Sequence, residues 1–166
     1  PIGTFPWGRH GGEHCQGHQC WRGTTTWGIG GIVTPDPPRF ELIESQAVAA
    51  TGHEGRGATG GMRNNISRSF CKPWFEHFAT DRAGSRLITD CGPMDKGGAL
   101  YLAGLGEPGR DSLANWIYLL NARCNTKTDF HLHPFLSPDG SLAFFNSNES
   151  GRLQAFMIRN LPCVSG

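Results

Sequence analysis

The 166-residue sequence is short of charge, of long apolar runs and of paired-cysteine motifs, and each shortage removes a class of explanation. Charged residues make up 17% of the chain, below the roughly one quarter usual in soluble domains. Lys+Arg 15 against Asp+Glu 14 leaves a formal net charge of +1. That balance supplies no field to hold nucleic acid or an anionic membrane surface, so neither is expected as a partner. No apolar run approaches the ~20 residues that a membrane-crossing helix needs. The chain opens on Pro1 with no charged-then-apolar leader behind it, and the expectation is a fragment of a longer chain. The six cysteines include no CxxC pair. Cys15 and Cys20 lie beside His14 and His18, but the spacing fits no usual zinc pattern. Small buried thiols in a reducing compartment, the cytoplasm ahead of the periplasm, are the reading that follows.

Turn formers, by contrast, are plentiful, with Gly 24 and Pro 11. Such a load suits many short strands better than long helices. Three clusters of short, β-branched or aromatic segments follow one another. The first holds HQCWRG, TTTWGIGGIV and RFELIES; the second FEHFATD, SRLITD and ALYLAGL; the third HLHPFLS, SLAFFNS and LQAFMIRNL. SPDGS joins two strands of the third cluster, and TDRAGS takes the same place in the second. Asp-Gly between apolar runs is a strong hairpin signal. WIYLL, within 111–123, reads as an outer strand of the second cluster in preference to a helix face.

A unit of three or four antiparallel strands that cannot bury both faces alone is the logic of a propeller blade. The sequence therefore predicts an all-β propeller fragment of about three blades, at 14–46, 74–122 and 129–162, with a long loop over 47–73. Three blades leave open edges. Further blades, or self-association, are expected to cover them. A loop as long as 47–73 is more often functional than not.

Histidine carries the chemistry. His131 and His133 lie two apart on an expected strand, which puts both imidazoles on one face. Two such rings can grip one metal ion. His77 heads the second blade and His18 the first, so four histidines are expected near one channel. Histidine is both a common transition-metal ligand and a base near neutral pH. His53, Glu54 and Arg56 lie in the Gly-rich GHEGRG, where an arginine could fork onto a substrate carboxylate, although a solvated loop is the plainer reading. His10 and His14 read as lead-in. GLGEPG has no following helix and is discounted as a phosphate loop. Trp7, Trp21, Trp27 and Trp74 suit sugar stacking or blade packing.

The run HLHPFLSPDGSLAFFNSNESGRLQAFMI resembles the last blade of the oligogalacturonate lyases, which reads HPHPSF, a turn, VLFTSD and a hydrophobic strand. GHQCW resembles their HEFW segment, and FEHFATDRAGSRLITD their SHLMSNFDGSLMVGDG segment. The resemblance runs from about His14 to Leu161, without 47–73. It implies a seven-bladed propeller holding a manganese ion and cleaving 4-linked uronate chains by β-elimination. His77, His131 and His133 then match metal ligands, and His18 matches the proton-abstracting base. Where the family has a glutamine ligand this chain has Thr128, with Asp129 beside it as a possible replacement. The family's catalytic arginine would precede Pro1, so Arg9, Arg22 or a loop arginine such as Arg56 would have to stand in. The expected partner is an acidic oligosaccharide. The rival expectations are a non-catalytic propeller that binds sugar or protein, and a hydrolase using metal-bound water.

Overall fold

The computed structural model describes residues 3–4, 13–49, 62–71, 73–92, 98–110, 114–122, 124 and 131–165. Arg56, Thr128 and Asp129 lie outside them, as do Trp7, Arg9, His10, His53 and Glu54. Every regular element described is a strand. Among the described residues, no helix is long and apolar enough to cross a membrane.

The strands form three successive antiparallel sheets. The first orders β2 (His14–Trp21), β3 (Trp27–Pro35), β4 (Pro38–Gln46) and β6 (Arg63–Asn65). The second orders β7 (Phe75–Thr80), β8 (Arg86–Cys91), β9 (Gly98–Gly104) and β10 (Asn115–Ala122). The third orders β11 (Phe135–Leu136), β12 (Ala143–Ser147) and β13 (Gln154–Ile158). A two-stranded pair joins β1 (Gly3–Thr4) to β5 (Val48–Ala49). WIYLL is thus an outer strand. The stretch 47–73, expected as a loop, contributes β5 and the outer strand of the first blade, because Arg63–Asn65 find open ladder groups along β4 at Ile43–Ser45.

Alternation decides what each sheet covers. On β8, Leu87 faces the first blade and packs with Ile29, Leu42 and Phe78. Its neighbour Ile88 faces the third blade and packs with Leu136 and Ala143. On β9, Ala103 joins the first set and Leu102 the second. The middle blade is therefore covered on both faces, and each such fully buried Leu or Ile contributes about 2 kcal/mol of burial. On β13, by contrast, every residue is at least partly exposed.

The same turn follows each inner strand. Arg22, Asp81 and Ser137 donate their amides to the carbonyls of Trp27, Arg86 and Leu142, and accept from the amides of Thr25, Gly84 and Gly140. These turns stack on one another between blades. The Arg82 amide donates to the Pro138 carbonyl at 3.0 Å, and the Gly23 amide to Thr80 Oγ1 at 2.9 Å. A Cβ on Gly23, which has φ +55°, would fall 2.5 Å from the Arg82 carbonyl oxygen. Glycine is what permits this approach.

Candidate metal centre

Counting back four residues from each repeated turn gives His18, His77 and His133. Equivalent positions ahead of the three turns thus carry an imidazole each. The turns pair His77 with His133, and His131 is the additional ring.

Irregularities in the strands place the rings. The register of β2 slips between Cys15 and Gln19, and Gly17 takes φ +92° there, so His18 sits in a bulge. The register of β7 slips between Phe75 and Phe78, around His77. Bulges re-aim side chains where a ladder would otherwise hold them regular. In β7 the bulge strands two amides, and Asp90 collects both. Its Oδ1 accepts from the Glu76 amide at 3.3 Å and the His77 amide at 2.7 Å. Its Oδ2 lies 2.7 Å from His77 Nδ1. Asp90 is 1% exposed and His77 7%. The carboxylate fixes the ring and leaves Nε2 as its outward nitrogen.

The pair His131 and His133 is not on a strand, which corrects the expectation. β11 starts only at Phe135, and His133 has φ +41°. Leu132, fully buried against Leu100 and Phe145, anchors the segment. Its carbonyl accepts the Asn146 amide at 2.7 Å. With Leu132 turned inward, the flanking histidines are left outside together. A non-glycine residue in the left-handed region costs on the order of 1–3 kcal/mol, and such positions gather at functional sites.

The rings converge. Centroid separations are 4.1 Å for His77–His133, 5.1 Å for His77–His131, 5.6 Å for His131–His133 and 4.7 Å for His18–His77. One nitrogen from each of His77, His131 and His133 lies within 4.8 Å of the others. His18 stands outside that threesome and borders a hollow of about 270 Å³ together with His77, His133 and Pro134. Partial burial pushes the His133 imidazole below its ordinary value, and the neighbouring rings of His77 and His131 push the same way. A neutral imidazole is the ligand form. Three imidazoles suit a divalent transition metal and leave coordination positions open.

Two expectations fail at this level. Arg22 is no substrate arginine. It is 2% exposed and pairs with buried Glu44. Its Nε donates to the Gly84 carbonyl at 2.9 Å, and a second nitrogen donates to the Gly106 carbonyl. The group is consumed in joining blade one to blade two. Arg86 does the same one blade on, donating to the carbonyls of Gly140 and Pro162. Nor are the cysteines all buried: Cys15, Cys71 and Cys163 are exposed, and none of the six forms a disulfide. Trp27 is in the core and Trp21 is exposed. Sequence reasoning missed Asp90, whose only signal was an acid at the end of an apolar strand, SRLITD.

No known family model matches the sequence, and no curated protein does. A solved structure of a nidogen/laminin complex is similar in fold, with a TM-score of 0.50 at 10% identity. The match covers 86% of this chain and 43% of that one, so this chain spans less than half the length of its structural neighbour. What the two share is architecture, and the three sheets described above are blades of a β-propeller.

Proposed function

We propose that the chain carries part of a metal-dependent lyase site that cleaves uronate oligosaccharides by β-elimination. The observation that carries this reading is the convergence of His77, His131 and His133 beside a fourth histidine that is not among the mutually close nitrogens. Three ring nitrogens within 4.8 Å of one another fit a single divalent ion after small side-chain adjustments. Bound there, such an ion supplies a positive charge that neutralises the substrate carboxylate and favours charge developing beside it.

The chain's own residues do the rest. Asp90 holds His77 in one orientation. In this reading His18, neighbour to His77, accepts the C5 proton of a uronate, which is acidified by the adjacent carboxylate. The C5–H electron pair then forms the C4–C5 double bond, and the C4–oxygen bond breaks. The departing oxygen takes up a proton, and no water enters the products. The resemblance in sequence favours manganese, whereas an all-imidazole set ranks manganese below iron, nickel, copper and zinc in affinity.

Metal analysis of the purified protein, beside a His131→Ala, His133→Ala double variant, tests the centre. Bound metal in the first and none in the second is expected; equal traces in both would overturn it. Ultraviolet absorbance of an unsaturated uronate, followed with galacturonate oligomers and each divalent ion in turn, tests the reaction. A product heavier by one water would make the protein a hydrolase instead.

A further inference from the structure

A second and larger cavity, about 1020 Å³, opens where blade one meets blade two. Phe70, Trp74, Tyr101, Trp116 and Tyr118 line it, and Arg39 is a cation at its wall. The cleft is open to solvent rather than enclosed. Its volume is that of a small-molecule site.

The rings are held firmly. Phe70 meets Phe75 and Tyr101 edge-on at 4.9 Å each, and Trp116 at 5.5 Å. Trp116 stacks on Phe75 at 5.0 Å. Trp74 rests on Phe40 at 4.3 Å. Tyr118 remains 54% exposed. Two polar groups stand out against these walls. The Trp116 indole N–H is buried with no acceptor among the described residues. The Arg39 guanidinium, 39% exposed, meets Glu41 through Nε at 3.2 Å and has no other ion pair among the described residues.

Flat aromatic faces with a guanidinium beside them suit a ligand that joins an apolar C–H face to a carboxylate. A uronate pyranose ring has both. The position agrees. Trp74 lies three residues before His77, about 10 Å along extended chain. Cys91, another lining residue, directly follows Asp90. The cleft and the histidine hollow thus border neighbouring stretches of chain at the start of β7 and the end of β8.

We propose that this cleft holds a distal uronate unit of the oligosaccharide whose reacting unit sits at the histidines. The proposal rests on the uronate reading above and adds a second site to it. Calorimetric titration of the full chain with two-unit and six-unit galacturonate oligomers tests it. The six-unit oligomer should bind more tightly than the two-unit one. Trp74→Ala, Tyr118→Ala and Arg39→Gln should each weaken six-unit binding by about tenfold. Tyr118 is exposed, so its variant reports on the ligand even where Trp74→Ala disturbs folding; Trp74→Phe should retain most of the affinity. Unaltered six-unit affinity in all three alanine or glutamine variants would overturn the cleft. Equal binding of a neutral six-unit glucan, or of phenylacetate in its place, would overturn the uronate assignment. Absence of unsaturated product with these losses intact would end the lyase reading and leave the cleft standing as a uronate site.

Discussion

The inner strands carry polar residues near both ends, but the two ends are built to opposite rules. Past the strands, at the stacked turns, Arg22 and Arg86 direct their charged groups onto carbonyls of the neighbouring turn, and Asp81 accepts from amides of its own turn. On the other side, His18, His77, His131 and His133 face one another. There, among the described residues, only His77 has a ring nitrogen fixed, by Asp90. Buried polar groups with every partner in place make a joint. Ring nitrogens left facing a common point make a place for something else. Position near the channel does not by itself make a residue functional; the number of partners it has left over does.

The sharpest way to break this contrast is Arg22→Ala. It leaves Glu44 buried without its cation, and should cost about 3–5 kcal/mol in denaturant unfolding. Arg22→Lys should restore only part, because the fork onto Gly84 and Gly106 is lost. A cost under about 1 kcal/mol would remove the distinction between the two ends.

Next in size is Asp81→Ala. Asp81 is 4% exposed and accepts from the Ser85 amide, the Ser85 hydroxyl and the Arg86 amide. About 2 kcal/mol of stability should go with it, read as a lowered midpoint of unfolding.

At the histidine end the order of effects should reverse. His131→Ala with His133→Ala removes two exposed rings and should change stability by no more than about 0.5 kcal/mol, while metal retention is lost. A large loss of stability in the metal-free protein would show that these rings are a joint like the others.

The smallest effect belongs to Asp139, in the third turn. Hydrogen bonds from the Ser137 hydroxyl and from the Ser141 amide and hydroxyl hold its carboxyl down from 3.8 to about 2. A depressed carboxyl contributes stability above its unfolded value and loses it as pH falls through about 2. Unfolding followed from pH 5 down to pH 2 should therefore be flatter for Asp139→Asn than for the parent chain.

Part of this was legible beforehand. The strand clusters, the Asp-Gly turn and the recurrence of histidine at blade starts are local patterns, and they marked His18, His77, His131 and His133. The partner of His77 was not legible. Asp90 reads as an ordinary strand residue until a bulge strands the amides of Glu76 and His77 beside it. Arg22 was misread for the converse reason. An arginine after an inner strand suits a substrate or a joint equally well, and only burial beside Glu44 separates them. The stretch 47–73 was expected as a long loop, yet 62–71 holds the outer strand Arg63–Asn65 and the Phe70 ring that packs the aromatic cleft.

What the sequence alone determined is what depends on neighbours in the chain: strand period, turn chemistry and the recurrence of histidine ahead of the turns. Side-chain alternation and glycine conformations are properties of a few consecutive residues, so they can be read along a line. The tertiary structure alone decided which polar groups are satisfied. That depends on contacts between residues tens of positions apart, such as Arg22 with Gly84 and Gly106. It also decided that four histidines from three blades share one space, because blade stacking and two bulges, with no motif of their own, bring them there.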